Sequence, residues 1–124
     1  MLEPKKTVLI VDDDRSILRV FTRVLEREGY SVVAVENGKD ALNQIAHNCF
    51  DAALIDMNLP DMTGTDLLPK IQETSPKTVK IVFTGSPTID ASFEGANKNM
   101  DAFLIKPVKP EILLGILKEK LKTK

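Results

Sequence analysis

Short apolar runs and stretches with apolar residues at helical spacing alternate along this chain, and few architectures accept that alternation. The runs are 7–11, 31–35, 52–55, 79–83 and 102–105, rich in Val, Ile and Leu. Between them Ile17, Val20, Phe21, Val24 and Leu25 trace one helical face, and Ala41, Leu42, Ile45 and Ala46 a second. Leu67, Leu68 and Ile71 mark a third helix after Gly64, and Ile89, Phe93, Ala96 and Met100 a fourth. The last carries Ile112, Leu113, Ile116, Leu117 and Leu121, with Pro110 suited to its first turn. Gly29 reads as a helix stop and Asn37-Gly38 as a turn. Several runs are apolar at every position, as strands covered by helices on both faces must be. The expected fold is α/β: a five-stranded parallel sheet, doubly wound as (βα)5 with right-handed crossovers.

The 124 residues fit one domain, large enough to bury a core without disulfides or a structural metal. The single cysteine, Cys49, cannot form an intrachain bridge, which suits a reducing cytoplasm. His47 lies too close in sequence for a designed Cys–His pair, so Cys49 is expected to be a packed or half-buried thiol. A net charge of −1 advertises neither nucleic acid nor membrane binding. No apolar h-region follows the first residues, and no apolar run approaches membrane-spanning length. The lysine-rich stretch 118–124 reads as a solvated helix end, or as the start of a linker.

The polar residues with chemical potential sit where strands end. Asp12, Asp13 and Asp14 follow the first run, Asp56 ends the third, Thr84 follows the fourth and Lys106 the fifth. In an open α/β sheet these ends form one rim, where ligands bind. Carboxylates gathered there repel one another unless one protonates or a cation joins them. Oxygen-only ligands suit a hard cation such as Mg²⁺. A lysine adds a point charge suited to phosphate, a threonine hydroxyl a hydrogen-bond donor, and an aspartate can itself be a nucleophile. Alone, each has a plainer reading. Asp14 is expected to cap the first helix, Thr84 and Lys106 to be turn and surface residues, and Phe103 to be core.

Segments 8–14, 54–64, 83–85 and 103–107, which read VLIVDDD, LIDMNLPDMTG, FTG and FLIKP, resemble the signature segments of two-component response-regulator receiver domains. The resemblance runs from about Thr7 to Leu121, so residues 1–124 are expected to be a single receiver domain. It implies the flavodoxin-like strand order 2-1-3-4-5. It makes Asp56 the phosphoacceptor, assisted by Lys106 and Thr84, with Thr84 and Phe103 as a switch pair. Asp12, Asp13, Asp56 and the main-chain carbonyl of Asn58 would hold Mg²⁺, with Mn²⁺ as a substitute. It also implies a cis Lys106–Pro107 bond. The donor would be a sensor histidine kinase or phosphotransfer protein. Output would pass to a partner or a second copy through the fourth helix, fifth strand and last helix, where Leu114, Lys118 and Lys122 form a mixed patch. The domain would assist its own phosphorylation and dephosphorylation without being a turnover enzyme. Alternatively it is the regulatory part of a larger DNA-binding or enzymatic regulator.

Two rivals fit less well. Phosphatases with an aspartyl nucleophile typically carry a second Asp two residues on, where this chain has Asn58. A flavodoxin-type binder needs a hydroxyl- and Gly-rich loop after the first strand, where Asp12-Asp13-Asp14 would repel phosphate. Three residues depart from the receiver pattern. Gly85 replaces a commoner Ala, Asn99 stands where Gly often ends a helix in the left-handed conformation, and Pro69 suggests a third helix that starts late or bends.

Overall fold

The computed structural model describes residues 5–85 and 99–122. The strands are β1 (Thr7–Val11), β2 (Ser31–Val35), β3 (Ala52–Asp56), β4 (Val79–Thr84) and β5 (Ala102–Ile105). The helices are α1 (Arg15–Arg27), α2 (Gly38–His47), α3 (Gly64–Thr74) and a C-terminal helix, Pro110–Lys120. The helix expected on Ile89, Phe93 and Ala96 falls outside the described residues. The sheet is parallel throughout, in the order β2-β1-β3-β4-β5. No helix among the described residues is long and apolar enough to cross a membrane.

The period-two alternation of the strands sorts their side chains into two layers. Leu9, Val11, Ala53, Ile55 and Val82 meet Ala41, Ile45, Leu67, Leu68 and Ile71 from α2 and α3. Val8, Ile10, Leu54, Ile81 and Phe83 meet Leu18, Phe21 and Leu25 of α1 and Leu113 and Leu117 of the C-terminal helix. Phe21 and Phe83 pack tilted, their ring centroids 5.8 Å apart. Every residue of β3 is buried, which is why its run lacks a polar face.

Local signals set the ends. Asp14 caps α1 by accepting from the Ser16 and Ile17 N–H groups, as its position predicts. Gly29 ends that helix at φ 97°, a conformation glycine adopts without strain. Pro110 stands in the first turn of the C-terminal helix. Pro69, however, does not delay α3. Thr63 and Asp66 form a capping box that starts the helix at Gly64, with Pro69 inside it. Asn99 does not take the left-handed conformation either, since no described residue other than glycine has positive φ. Cys49 is exposed rather than packed, because it lies in the loop after α2. Leu114 is half-buried against the second layer, while Ile105 and Ile112 are exposed.

One lysine is out of place in this core. Lys80 of β4 is buried, its ammonium donating to the Thr78 carbonyl at 2.7 Å and its N–H to Asp101 Oδ2 at 2.8 Å. Burial pulls its pKa below the ordinary lysine value, and the charge of Asp101 restores part of the loss. The folded state therefore binds this proton less readily than the unfolded chain. Stability should rise with pH between the lowered value and the ordinary one, about 10.4. Lys80→Met should be at least as stable as the parent at neutral pH, with the gap closing as pH climbs toward that value. Urea denaturation across the range checks this, and a gap that widens with pH contradicts it.

Candidate functional site

The parallel register carries the polar strand ends to one rim. Val11 pairs with Ile55, Asp56 with Phe83 and Thr84 with Ile105, so Asp12, Asp56, Thr84 and Lys106 lie at neighbouring strand ends. Backbone bonds continue the order past the strands: Asp12 N–H donates to Val35, Met57 N–H to Phe83 and Lys106 N–H to Thr84, at 3.1, 2.8 and 2.7 Å. The expected cis Lys106–Pro107 bond is present.

Asp12 and Asp56 are 1% and 6% exposed, and Asp13 is exposed. One carboxylate oxygen from each lies within 4.8 Å of the other two. The Lys106 ammonium bridges two of them, at 2.9 Å from Asp12 Oδ2 and 3.3 Å from Asp56 Oδ1. Asp12 Oδ1 also accepts from the Asp14 N–H at 2.9 Å, so Asp12 is held from two sides. Burial pushes the Asp56 carboxyl above its ordinary value and the charge of Asp12 adds to the push, while Lys106 and the Asn58 N–H pull it back. Burial also pulls the Lys106 ammonium down, but Asp12 and then Asp56 outweigh it, leaving that pKa raised. Lys106 is thus committed chiefly to Asp12 and compensates Asp56 only in part. Three carboxylates against one ammonium leave negative charge over, and an all-oxygen donor set of this kind fits a hard divalent cation.

The other expected residues stand around this cluster. Thr84 is buried at the end of β4. Phe103, in β5, is half-buried against the layer built on α2 and α3, as its plainer reading held. Asn58 is exposed and bridges Thr63 across the β3–α3 loop.

Asp61, read only as part of a turn, has a role the sequence did not announce. Its carboxylate accepts from the Gly38 N–H at 2.8 Å and the Lys39 N–H at 2.9 Å, while Asn37 accepts from Asp40. These bonds satisfy the open N–H groups of α2. They also hold the carboxyl below its ordinary range. A Cβ on Gly38 would collide with the Met62 side chain, so the loop and helix meet in contact. The tip of the loop that contains Asn58 is thereby fastened to α2.

The chain matches the response regulator receiver domain over residues 8–118 and belongs to that family. It is 31% identical over 118 residues to the uncharacterized transcriptional regulatory protein YkoG of Bacillus subtilis, covering 95% of this chain and 52% of YkoG. With response regulator MprA of Mycobacterium sp. strain KMS it shares 30% over 115 residues, 93% of this chain and 50% of MprA. The chain thus spans about half the length of these curated relatives. Among solved structures, a CheY-like receiver domain protein of Methanospirillum hungatei superposes with TM-score 0.90 at 42% identity, covering 95% of this chain and 94% of that one. A response regulator of Burkholderia pseudomallei, solved with a phosphorylated aspartic acid, a calcium ion and citrate, gives 0.84 at 29%, covering 94% and 69%. The chain is a receiver domain of the two-component response-regulator class, a phosphoacceptor signalling domain.

The Asp61 tie has a measurable consequence. Asp61→Ala should lower the urea midpoint without changing the slope, and Asp61→Asn, which keeps one acceptor oxygen, should fall between it and the parent. A midpoint unmoved in Asp61→Ala would show that the tie contributes nothing.

Proposed function

We propose that Asp56 accepts the phosphoryl group of this receiver, in a unit with its core at about residues 7–121. The observation that carries the reading is the buried Asp56 carboxylate held by Lys106 within one cluster with Asp12 and Asp13. The donor would be a sensor histidine kinase or a phosphotransfer protein, and the exposed thiol of Cys49 suits a cytoplasmic setting. An oxygen of Asp56 attacks the phosphorus as the bond to the donor breaks. Lys106 turns its charge to the arriving phosphoryl oxygens, and the Thr84 hydroxyl donates to one of them. Asp12, Asp13, Asp56 and the main-chain carbonyl of Asn58 would hold Mg²⁺, or Mn²⁺ in its place, which when bound supplies neutralisation of charge on the transferring group. Autophosphorylation and hydrolysis at Asp56 are then the domain's own chemistry, without turnover of a free substrate.

Thr84 and Phe103 form the switch in this reading. A charged acceptor on Asp56 draws the Thr84 hydroxyl inward, and Phe103 repacks beside it. Output leaves through β5 and the C-terminal helix, where Ile105 and Ile112 are each 50% exposed, to a partner or a second copy. The fourth helix of that face lies outside the described residues. A second reading, the receiver part of a larger DNA-binding or enzymatic regulator, is favoured by relatives of which the chain covers about half.

Acetyl phosphate with Mg²⁺ should add one phosphate to the chain by intact mass, none after chelation and none to Asp56→Asn. Asp13→Asn should weaken Mg²⁺ binding by about tenfold or more, since a ligand charge is lost. Phosphate that persists in Asp56→Asn contradicts the assignment.

A further inference from the structure

The strand that delivers Lys106 to the rim has little to hold its alignment. β5 has four residues, pairs with β4 at the edge of the sheet, and buries none of them fully. Its run, Ala102, Phe103, Leu104 and Ile105, is apolar at every position. A slip of one residue would exchange one apolar side chain for another on each face, so the run by itself specifies its register weakly. Such a slip shifts the strand by about 3.3 Å and turns every side chain to the other face. Lys106, which reaches Asp12 at 2.9 Å and Asp56 at 3.3 Å, would lose both.

Asp101, the polar residue before the run, carries the missing specification. Its N–H donates to the Lys80 carbonyl at 2.7 Å, and its Oδ2 accepts from the Lys80 N–H at 2.8 Å. One residue thus takes both main-chain groups of Lys80, its side chain standing in for a backbone acceptor of the ladder. The pairing of Ile81 with Ala102 follows, and the ladder runs on to Thr84 with Ile105 and to the Lys106 N–H on the Thr84 carbonyl at 2.7 Å. Met100 and Ala102, which a slip would bring opposite Lys80, offer no carboxylate. The N–H of this buried residue would then lack its acceptor, which penalises the slipped register. The same carboxylate attracts the buried Lys80 ammonium, so removing Asp101 alone would also strand a charge.

We propose that Asp101 is a positioning residue for Lys106: its two bonds to the Lys80 backbone fix the register of β5 and so set the lysine between Asp12 and Asp56. The consequence for phosphoryl transfer rests on the phosphoacceptor reading, whereas the register does not.

The test uses the whole chain in a Lys80→Met background, where no buried ammonium is stranded by changes at Asp101. K80M/D101N keeps a side-chain acceptor for the N–H at position 80, and K80M/D101A removes it. Under conditions where both are fully folded, the Lys106 amide should exchange its hydrogen about tenfold faster in K80M/D101A than in K80M/D101N. The initial rate of Asp56 phosphorylation by acetyl phosphate at saturating Mg²⁺ should fall about tenfold in K80M/D101A and stay within about twofold of the parent in K80M/D101N. A role in stability alone would leave the rates of the two folded variants equal. Equal exchange at Lys106 in both variants would overturn the proposal, as would a rate lost as fully in K80M/D101N as in K80M/D101A. Faster exchange in K80M/D101A with an unchanged rate would uphold the register and overturn the assistance that the phosphoacceptor reading assigns to Lys106.

Discussion

The ammonium of Lys106, 2.9 Å from Asp12 and 3.3 Å from Asp56, is the interaction on which the rim of this sheet depends. Two carboxyl groups with almost no exposure lie side by side here, and its positive charge offsets their mutual repulsion. It ties the ends of β1, β3 and β5, strands that are not all neighbours, across the rim. The register of the sheet is in turn its precondition. A slip of one residue would turn Asp56 to the opposite face and part the group. The core and the charge cluster therefore specify the same alignment, one by burying both faces of β3 and the other by pairing its last residue.

That shared specification explains why so much was legible from residues alone. Strand runs, the Asp14 cap, the Gly29 stop and Pro110 at a helix start are local signals, and each stands where expected. The convergence of Asp12, Asp56, Thr84 and Lys106 followed from one rule about strand ends in open sheets. What escaped depends on side-chain bonds that residue type and spacing alone do not reveal. Asp61 reaches the first turn of α2 across more than twenty residues, and nothing in its own turn distinguishes it from a solvated aspartate. Of the two outcomes expected from Pro69, the late start did not occur, because the Thr63–Asp66 capping box settles the start of α3 before the proline bears on it.

In the proposed reading, the charge state of the cluster gives the fold its capacity to signal. Lys106 is held more closely by Asp12 than by Asp56, and Asp56 keeps a carboxyl that burial makes reluctant to ionise. On that reading a phosphoryl group arriving at Asp56 would offer the lysine a stronger anion than Asp12 does, and the ammonium would exchange partners. Thr84, buried at the adjacent strand end, completes the set of groups that would register the exchange. The Asp61 tie keeps the loop bearing Asn58 in place while charges on the neighbouring strand ends rearrange.

The most direct test of this account is a crystal structure of the chain with beryllofluoride and Mg²⁺. The account predicts the fluoride mimic on an Asp56 oxygen, with the Lys106 ammonium moved from Asp12 onto it and the Thr84 hydroxyl within hydrogen-bond distance. The cation should lie among Asp12, Asp13, Asp56 and the Asn58 carbonyl. A mimic bound to any other carboxylate, or a Lys106 still paired with Asp12 beside an occupied Asp56, would contradict it.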